Sequence, residues 1–539
     1  MGKGKLLFIA FLLFISSLSS CSPFVAYDET YGYRIEENID EVFPTNDKYR
    51  NYYEIFVRSF ADSNNDGIGD LNGVTEKLNY IKDLGYTGIW LMPINTSRSY
   101  HKYDVDNYYE VDPDYGTNGD LENLISQAHN KGINVILDLV LNHSSLYTEE
   151  FELASYAYHK YINGESLNEE EIKYYDYYSF FDNPDDPEAK GKTLYKHPKY
   201  DFYYEGNFSS SMPEFNLDST YLREDIESIV RYYMDIGVDG FRLDAVLYYF
   251  MNDTIKNIKF LNWLNSYIKS INKNAFIVGE ARTSKQIVKQ YYDSGIDSFF
   301  YFDGSTSNPN GFYLNSTNLD GKLADTYYEG LVDLLDTSSN GIPAPFLDNH
   351  DMSRYVRVNS IEKTKFYYGL LAMSNGTTFT YYGDEVGMGG TIPPDQNVRT
   401  SMRWGEDDNK YDTVQLSGVT AEVYPYGTVK DNIENPNSIL NYYKKANYLR
   451  NKFQSIARGE ISLVKFDKDR GLLIIAKSYL DEEINIAINF KEKDNIILTS
   501  SDISDKEVVG QLIVDNLKYI GELNDGTIIL PPYSIAIFK

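Results

Sequence analysis

Residues 237–250 read GVDGFRLDAVLYYF, an apolar run that carries Arg242 and Asp244 two residues apart. Neither charge leaves water cheaply unless it finds a partner or does chemistry. Other apolar runs end in the same way. Asp138 lies in INVILDLVLNH, which closes on Asn142 and His143; Glu280 closes AFIVGE, and His350 and Asp351 close APFLDNHD. A lone carboxylate at a strand end is ordinarily a cap or half of a salt bridge. Three of them, Asp244, Glu280 and Asp351, with two histidines and an arginine, require like charges to be held together at a cost. That cost is hard to explain by structure alone and marks a functional site.

The elements that must bring these residues together can be read from the hydrophobic pattern. YYEIFVRSF (52–60), YTGIWLM (86–92), INVILDLVLNH (133–143), VDGFRLD (238–244), AFIVGE (275–280), IDSFFYF (296–302), APFLDNHD (344–351) and TTFTYYGDE (377–385) are predicted strands. Their apolar residues run on without alternation, as in strands covered on both faces. Helical patterns lie between them at 75–85, 120–132 and 221–237, the last two ending in glycine. Eight strands alternating with helices predict an α/β chain, a parallel (β/α)8 TIM barrel over 49–143 and 216–455, with its chemistry at the C-terminal strand ends. The gap after strand three is too long for a connection, so 144–215 is expected to be an inserted small domain. The rhythm then changes to short strands and turns, which predicts an all-β sandwich over 456–539.

Lys3 and Lys5 precede LLFIAFLLFISSL, a run of 13 residues that is too short to cross a bilayer and suits a signal peptide. It leads to LSSC, which resembles a bacterial lipobox. Residues 1–20 are therefore expected to be removed, Cys21 to carry a lipid, and 21–48 to be anchor and linker on an extracytoplasmic, membrane-tethered protein. Cys21 is the chain's only cysteine, so no intramolecular disulfide is possible. Net charge is −30, and 48 − 80 = −32 without the two lysines. Such a surface repels nucleic acid, so a neutral or cationic partner is expected, and a monomer. The 51 tyrosines include rings of the kind that stack on sugar faces.

DLVLNH, GFRLDA, VGEA and FLDNHD resemble, in order, the four signature regions of the α-amylase superfamily, glycoside hydrolase family 13. MPEFN (212–216) resembles the further signature that ends its inserted domain. YEIFVRSFADSNNDGIGDLNGV, YYGDEVGM and RTSMRW resemble the bacterial α-amylase and oligo-1,6-glucosidase branch. The resemblance implies Asp244 as nucleophile, Glu280 as the acid and then the base, and Asp351 as the carboxylate that grips sugar hydroxyls, with retention of anomeric configuration. It implies that Arg242 orients and ionises Asp244, that Asp138 supports Arg242, and that His143, His350, Tyr103, His101 and Arg399 contact the sugar. The family usually has glycine where Lys102 stands.

DSNNDGIGD spaces Asp62, Asn64, Asp66 and Asp70 around glycines so that oxygens, with the Ile68 carbonyl, can turn inward on a hard cation. Gly73 stands where an EF-hand needs its bidentate glutamate, so this is another kind of loop. Related enzymes bind Ca²⁺ here. Many α-amylases have Lys-His where this chain has Leu247-Tyr248, and Tyr248 can either stack on a leaving-group sugar or only pack. The expected activity is endo-hydrolysis of α-1,4 bonds in starch-like glucans and maltooligosaccharides. The rivals are an exo-acting α-glucosidase or oligo-1,6-glucosidase and a catalytically silent glycan-binding lipoprotein. Exo enzymes commonly carry an aspartate at the position of Tyr100, which favours the open cleft.

Overall fold

The structure, a computed structural model, describes residues 47–539 except 252, 307–321, 359, 406–407, 421–423, 504–505, 517–519 and 523–526. The apolar leader and Cys21 lie outside the described residues. Asp47 and Lys48, at the end of the expected linker, are held by Arg458 and by Asp297 respectively.

Eight strands form one parallel sheet: β1 (Asn51–Ile55), β2 (Gly88–Leu91), β3 (Asn134–Leu139), β4 (Gly240–Leu243), β5 (Phe276–Gly279), β6 (Ser298–Tyr301), β7 (Ile342–Pro345) and β8 (Thr378–Tyr381). Neighbours run β7-β6-β5-β4-β3-β2-β1-β8, and a parallel bridge between Phe346 and Phe379 joins the two edges into a barrel. The continuous apolar patterns have the expected cause. Alternate residues of a strand face opposite sides. Tyr52, Trp90, Ile136, Phe276, Phe300 and Phe379 fill the barrel, while Ile89, Val135, Phe241 and Ile277 pack under the helices.

β7 departs from the sequence expectation. It is Ile342–Pro345, two residues earlier than the predicted run, and holds prolines at 343 and 345. Proline donates nothing to a ladder, so it belongs where pairing is thin. The seam to β8 is such a place: Pro343 accepts from Thr377 N, and the closing bridge lies beyond the strand.

The helix predicted at 75–85 is two short ones, Leu71–Glu76 and Leu78–Asp83, the first capped by Asp70. The helix predicted at 120–132 is Asn118–His129, begun by a Thr117–Asp120 capping box. Between β3 and the helix Thr220–Asp235 the chain forms helices Glu149–Ile162 and Glu169–Tyr175 and a small antiparallel sheet, tied to the barrel by His143–Glu214 and Tyr178–Phe215 bridges.

Beyond the barrel, five antiparallel strands lie against three shorter ones. Leu472, Ile474 and Phe538 face the small sheet, and Leu473, Ile475 and Ile537 face barrel helices, so this layer too is buried on both sides. Two basic side chains, Lys477 of this layer and Arg450 of the barrel helix Ile439–Lys452, meet at the join. Lys477, fully buried, donates to the carbonyls of Met373 and Ile456 and to Asn375 Oδ1 at 2.6–2.8 Å. Arg450 donates to the carbonyls of Ala372, Ser374 and Gly376. Together they satisfy the carbonyl end of the helix Ile361–Ala372. Lys477→Ala orphans three buried acceptors and is expected to lose about 3 kcal/mol, read as a lower urea midpoint.

Candidate active site

Strand register brings the first partners together. Asp138 on β3 and Arg242 on β4 are directly paired neighbours, so both side chains leave the same inner face. Gly240 starts β4 because a Cβ there would meet the Phe276 carbonyl oxygen at 1.8 Å. Arg242 Nη1 donates to both oxygens of Asp138 at 2.9 Å and to Asp244 Oδ1 at 2.6 Å. Its Nη2 donates to Glu280 Oε2 at 2.5 Å. One guanidinium, wholly buried, thus serves three carboxyl groups. Beneath it lies the apolar filling of the barrel, with Arg242 5.2 Å from the centre of the Trp90 ring.

Asp351 is held from two sides. Its Oδ2 lies 3.0 Å from His350 Nε2, and its Oδ1 accepts from Arg399 Nη2 at 2.8 Å. The Tyr103 hydroxyl lies 2.8 Å from the same His350 nitrogen and donates to Asp138. His143 Nε2 donates to the Tyr103 carbonyl, and His101 Nδ1 accepts from the Tyr103 amide. Lys102, between them, takes φ +64°, the left-handed conformation in which the family's usual glycine is at ease. Its ammonium turns away from the site to Asp112 at 2.8 Å.

The electrostatics follow from burial and from this geometry. Burial raises the pKa of both Asp244 and Glu280 against the pull of Arg242, with Asp351 adding to the rise in each. Burial pushes Asp138 up to about 7, again against Arg242. Burial also works to raise Asp351, but His350 and Arg399 outweigh it and hold that carboxyl well below its ordinary range. Burial lowers His101 and His143 to about 4, so both are neutral imidazoles.

The three carboxyls open on one cleft of about 540 Å³. His101, Tyr103, His143, Tyr248 and Arg399 line it, while Arg242, His350 and Asp138 lie beneath. All eleven barrel residues singled out in the sequence are therefore gathered. Two others were not anticipated. Phe208, from the inserted segment, stands at the rim with its ring 5.0 Å from that of Tyr248, each 42 % exposed. Glu54, 1 % exposed, stands near the end of β1 against His350 Nδ1 at 2.5 Å. A charge inside the apolar run YYEIF is the same signal that marks Arg242.

Asp62, Asn64, Asp66, Ile68 and Asp70 form a separate loop after β1. Asp62 accepts from the amides of Asn64, Asn65 and Gly67, and Asp70 accepts from Ser63 and Gly73. Every donor atom on offer is oxygen, which suits a hard cation. As folded, those oxygens are turned to the loop's own amides. Among the described residues no three His, Cys, Asp or Glu side chains are grouped to hold a metal.

The model of the α-amylase catalytic domain matches residues 54–459. The chain belongs to the α-amylase family. Alpha-amylase 3 of Dictyoglomus thermophilum is 36 % identical over 507 residues, covering 91 % of this chain and 93 % of that protein. The oligo-1,6-glucosidase of Bacillus cereus is 25 % identical over 578 residues, covering 90 % and 98 %. The solved structure of Eubacterium rectale Amy13B matches with a TM-score of 0.84 at 37 % identity, over 92 % of this chain and 96 % of that one. The α-amylase-family chain is thus a glycoside hydrolase that acts on α-glucans. Since Arg242 grips two cleft carboxyls with different nitrogens, Arg242→Lys keeps the charge but loses the fork. It is expected to lower kcat/KM on maltoheptaose by about 10²-fold while the circular dichroism spectrum stays native.

Proposed function

We propose an endo-acting α-amylase that cleaves internal α-1,4 bonds of starch-like glucans by double displacement with retention. The observation that carries the retaining mechanism is the sharing of Arg242 by Asp244 and Glu280, and the open cleft is what favours endo action. Two carboxyls on one guanidinium stand close, which fits the separation of about 5–5.5 Å used by retaining enzymes. Asp244 attacks the anomeric carbon as Glu280 gives its proton to the leaving oxygen. The glycosyl–Asp244 ester is then opened by water, which Glu280 deprotonates. Asp351, Tyr103, His101 and His143, which line the cleft, bind the same sugar and tighten on its oxocarbenium-like transition state, while His350 acts from beneath through Asp351.

The raised pKa of Glu280 keeps its proton at hand, and that proton is lost as pH rises through it. The raised pKa of Asp244 sets the acid side, where activity fails as pH falls. Leaving-group sugars lie on the side of Glu280. The Ala245–Tyr248 turn sits there, with Val246 N donating to the Glu280 carbonyl at 3.1 Å, so the Phe208–Tyr248 rings face those sugars. On the other side Arg399 is occupied by the Tyr100 hydroxyl, the His350 carbonyl and Asp351, so that arginine is not free to grip a chain end.

An exo-acting second reading rests on Asp395, which lines the cleft with its carboxylate 3.6 Å from Arg399. Calcium in the Asp62–Asp70 loop, held by Asp62, Asn64, Asp66, the Ile68 carbonyl and Asp70, would be structural and would brace the entry to the helices after β1. The leader and Cys21 support a lipid-anchored, extracytoplasmic enzyme.

On amylose, mixed maltooligosaccharides are expected in the first minutes; glucose alone would favour the exo reading. Glu280→Gln and Asp244→Asn are each expected to cut kcat on the order of 10³-fold or more with melting almost unchanged, and full activity in either would remove its role. EGTA is expected to lower Tm by about 5 °C, with added Ca²⁺ restoring it. An unmoved Tm would leave the loop to its own amide bonds.

A further inference from the structure

We infer that Glu54 is a positioning residue that keeps His350 doubly protonated and, through it, fixes Asp351 for the sugar. The inference rests on the role given to Asp351 above.

The geometry carries it. Glu54 Oε1 lies 2.5 Å from His350 Nδ1, and both side chains are out of water, at 1 % and 0 % exposure. A carboxylate only accepts hydrogen bonds, so Nδ1 bears a proton. Nε2 faces a second carboxylate, Asp351 Oδ2 at 3.0 Å, which is also an acceptor, so Nε2 bears a proton too. The imidazole is therefore a cation strung between two anions, from the end of β1 to the loop beyond β7. Burial opposes that charge, but Asp351 and Glu54 prevail and push His350 up to about 10.

The other groups around the ring do not replace Glu54. Trp90, from β2, meets it edge-on at 5.7 Å, and Tyr103 offers a hydroxyl on the Nε2 side. Asp138, Asp244 and Glu280 act from β3, β4 and β5 at longer range. Arg399 meets His350 at its backbone carbonyl and not at the ring. Among the described residues no other group meets Nδ1. Without the Glu54 charge, the proton on Nε2 is held by Asp351 alone, and Asp351 loses its fixed partner as soon as that proton leaves.

Sign matters here. A histidine whose folded pKa lies above its unfolded value adds stability that is complete below about 6.5 and lost as pH rises through about 10. Glu54→Gln keeps an oxygen for Nδ1–H but removes the charge, so the loss moves to lower pH.

The test uses ¹³C-histidine labelling of the full chain, whose six histidines give few signals. In the parent, the His350 resonance, assigned by His350→Asn, is expected to stay protonated through pH 8. In Glu54→Gln it is expected to titrate about three units lower, near pH 7. The alkaline limb of kcat/KM on maltoheptaose is expected to shift down with it. At pH 8 kcat falls about tenfold with KM within about twofold, and activity is rescued at pH 5.5. A parent His350 that titrates near 6.5 overturns the proposal without any variant. So does a Glu54→Gln enzyme with the parent's titration and pH profile. The imidazole titration needs no substrate, so a glucose-only product profile would change the function proposed above and leave this result standing.

Discussion

One guanidinium held in common by three carboxyl groups is the constraint around which the rest is arranged. Arg242 has no exposed surface, and its partners Asp138, Asp244 and Glu280 are nearly as deep. At such a depth the attraction of each pair is strong, but so is the cost of any charge left without a partner. At the heart of the site hydrogen bonds join five carboxyls, Glu54, Asp138, Asp244, Glu280 and Asp351, to three cations, Arg242, His350 and Arg399. Five negatives against three positives leave an excess of two, which a buried site relieves by taking up protons. Asp351, clamped between two cations, is the poorest place for one, and its carboxyl is driven down. Glu280, with one share of one guanidinium and two acidic neighbours, is a good one. Asp351 and Glu280 are told apart by how the cations are shared out, whereas Asp244 and Glu280 each hold one share of Arg242 and both are raised.

That sharing depends on the barrel being full. The aromatic and aliphatic filling under the site keeps water from reaching Arg242 and His350 from below, and Trp90 touches both. The register of β3 with β4 fixes Asp138 beside Arg242, and that of β1 with β2 sets Glu54 beside Trp90 on the same inner face. The Glu54–His350–Asp351 line then crosses the region where the β7–β8 seam is thinnest. A side-chain chain spans the place where proline has removed backbone donors.

Much of this was legible in the sequence because its rules are local. Unbroken apolar runs mean strands covered twice, and a charge ending such a run means a site; together they located β1 to β8 and the three carboxyls. What was missed depends on contacts between distant segments. Phe208 lies in an irregular stretch with no periodicity to say which way its ring points, and only the fold carries it to Tyr248. The early start of β7 was hidden because proline argues against a strand unless the neighbouring seam is known. Glu54 was in plain view within YYEIF, but its partner lies 296 residues away. The loop from Asp62 to Asp70 shows the opposite limit. Spacing declares oxygen ligands, yet those spacings also build turns in which carboxylates accept the chain's own amides.

Backbone strain sits where the chemistry needs rigidity. Among the described residues only five non-glycine residues take positive φ, and two of them, Lys102 and Ala245, flank the cleft residues Tyr103 and Asp244. A left-handed residue with a Cβ costs about 1–2 kcal/mol, so each must be held by something outside itself. Lys102 is held by a buried ion pair with Asp112, 4 % exposed like itself. Ala245 is held because its amide donates to Glu280 Oε2 at 3.3 Å while Val246 N donates to the Glu280 carbonyl. Glu280 therefore pins the turn that carries Asp244, and Arg242 pins both side chains. The carboxyl that gives the proton and the one that attacks are parts of one strained unit, so neither can drift without moving the other.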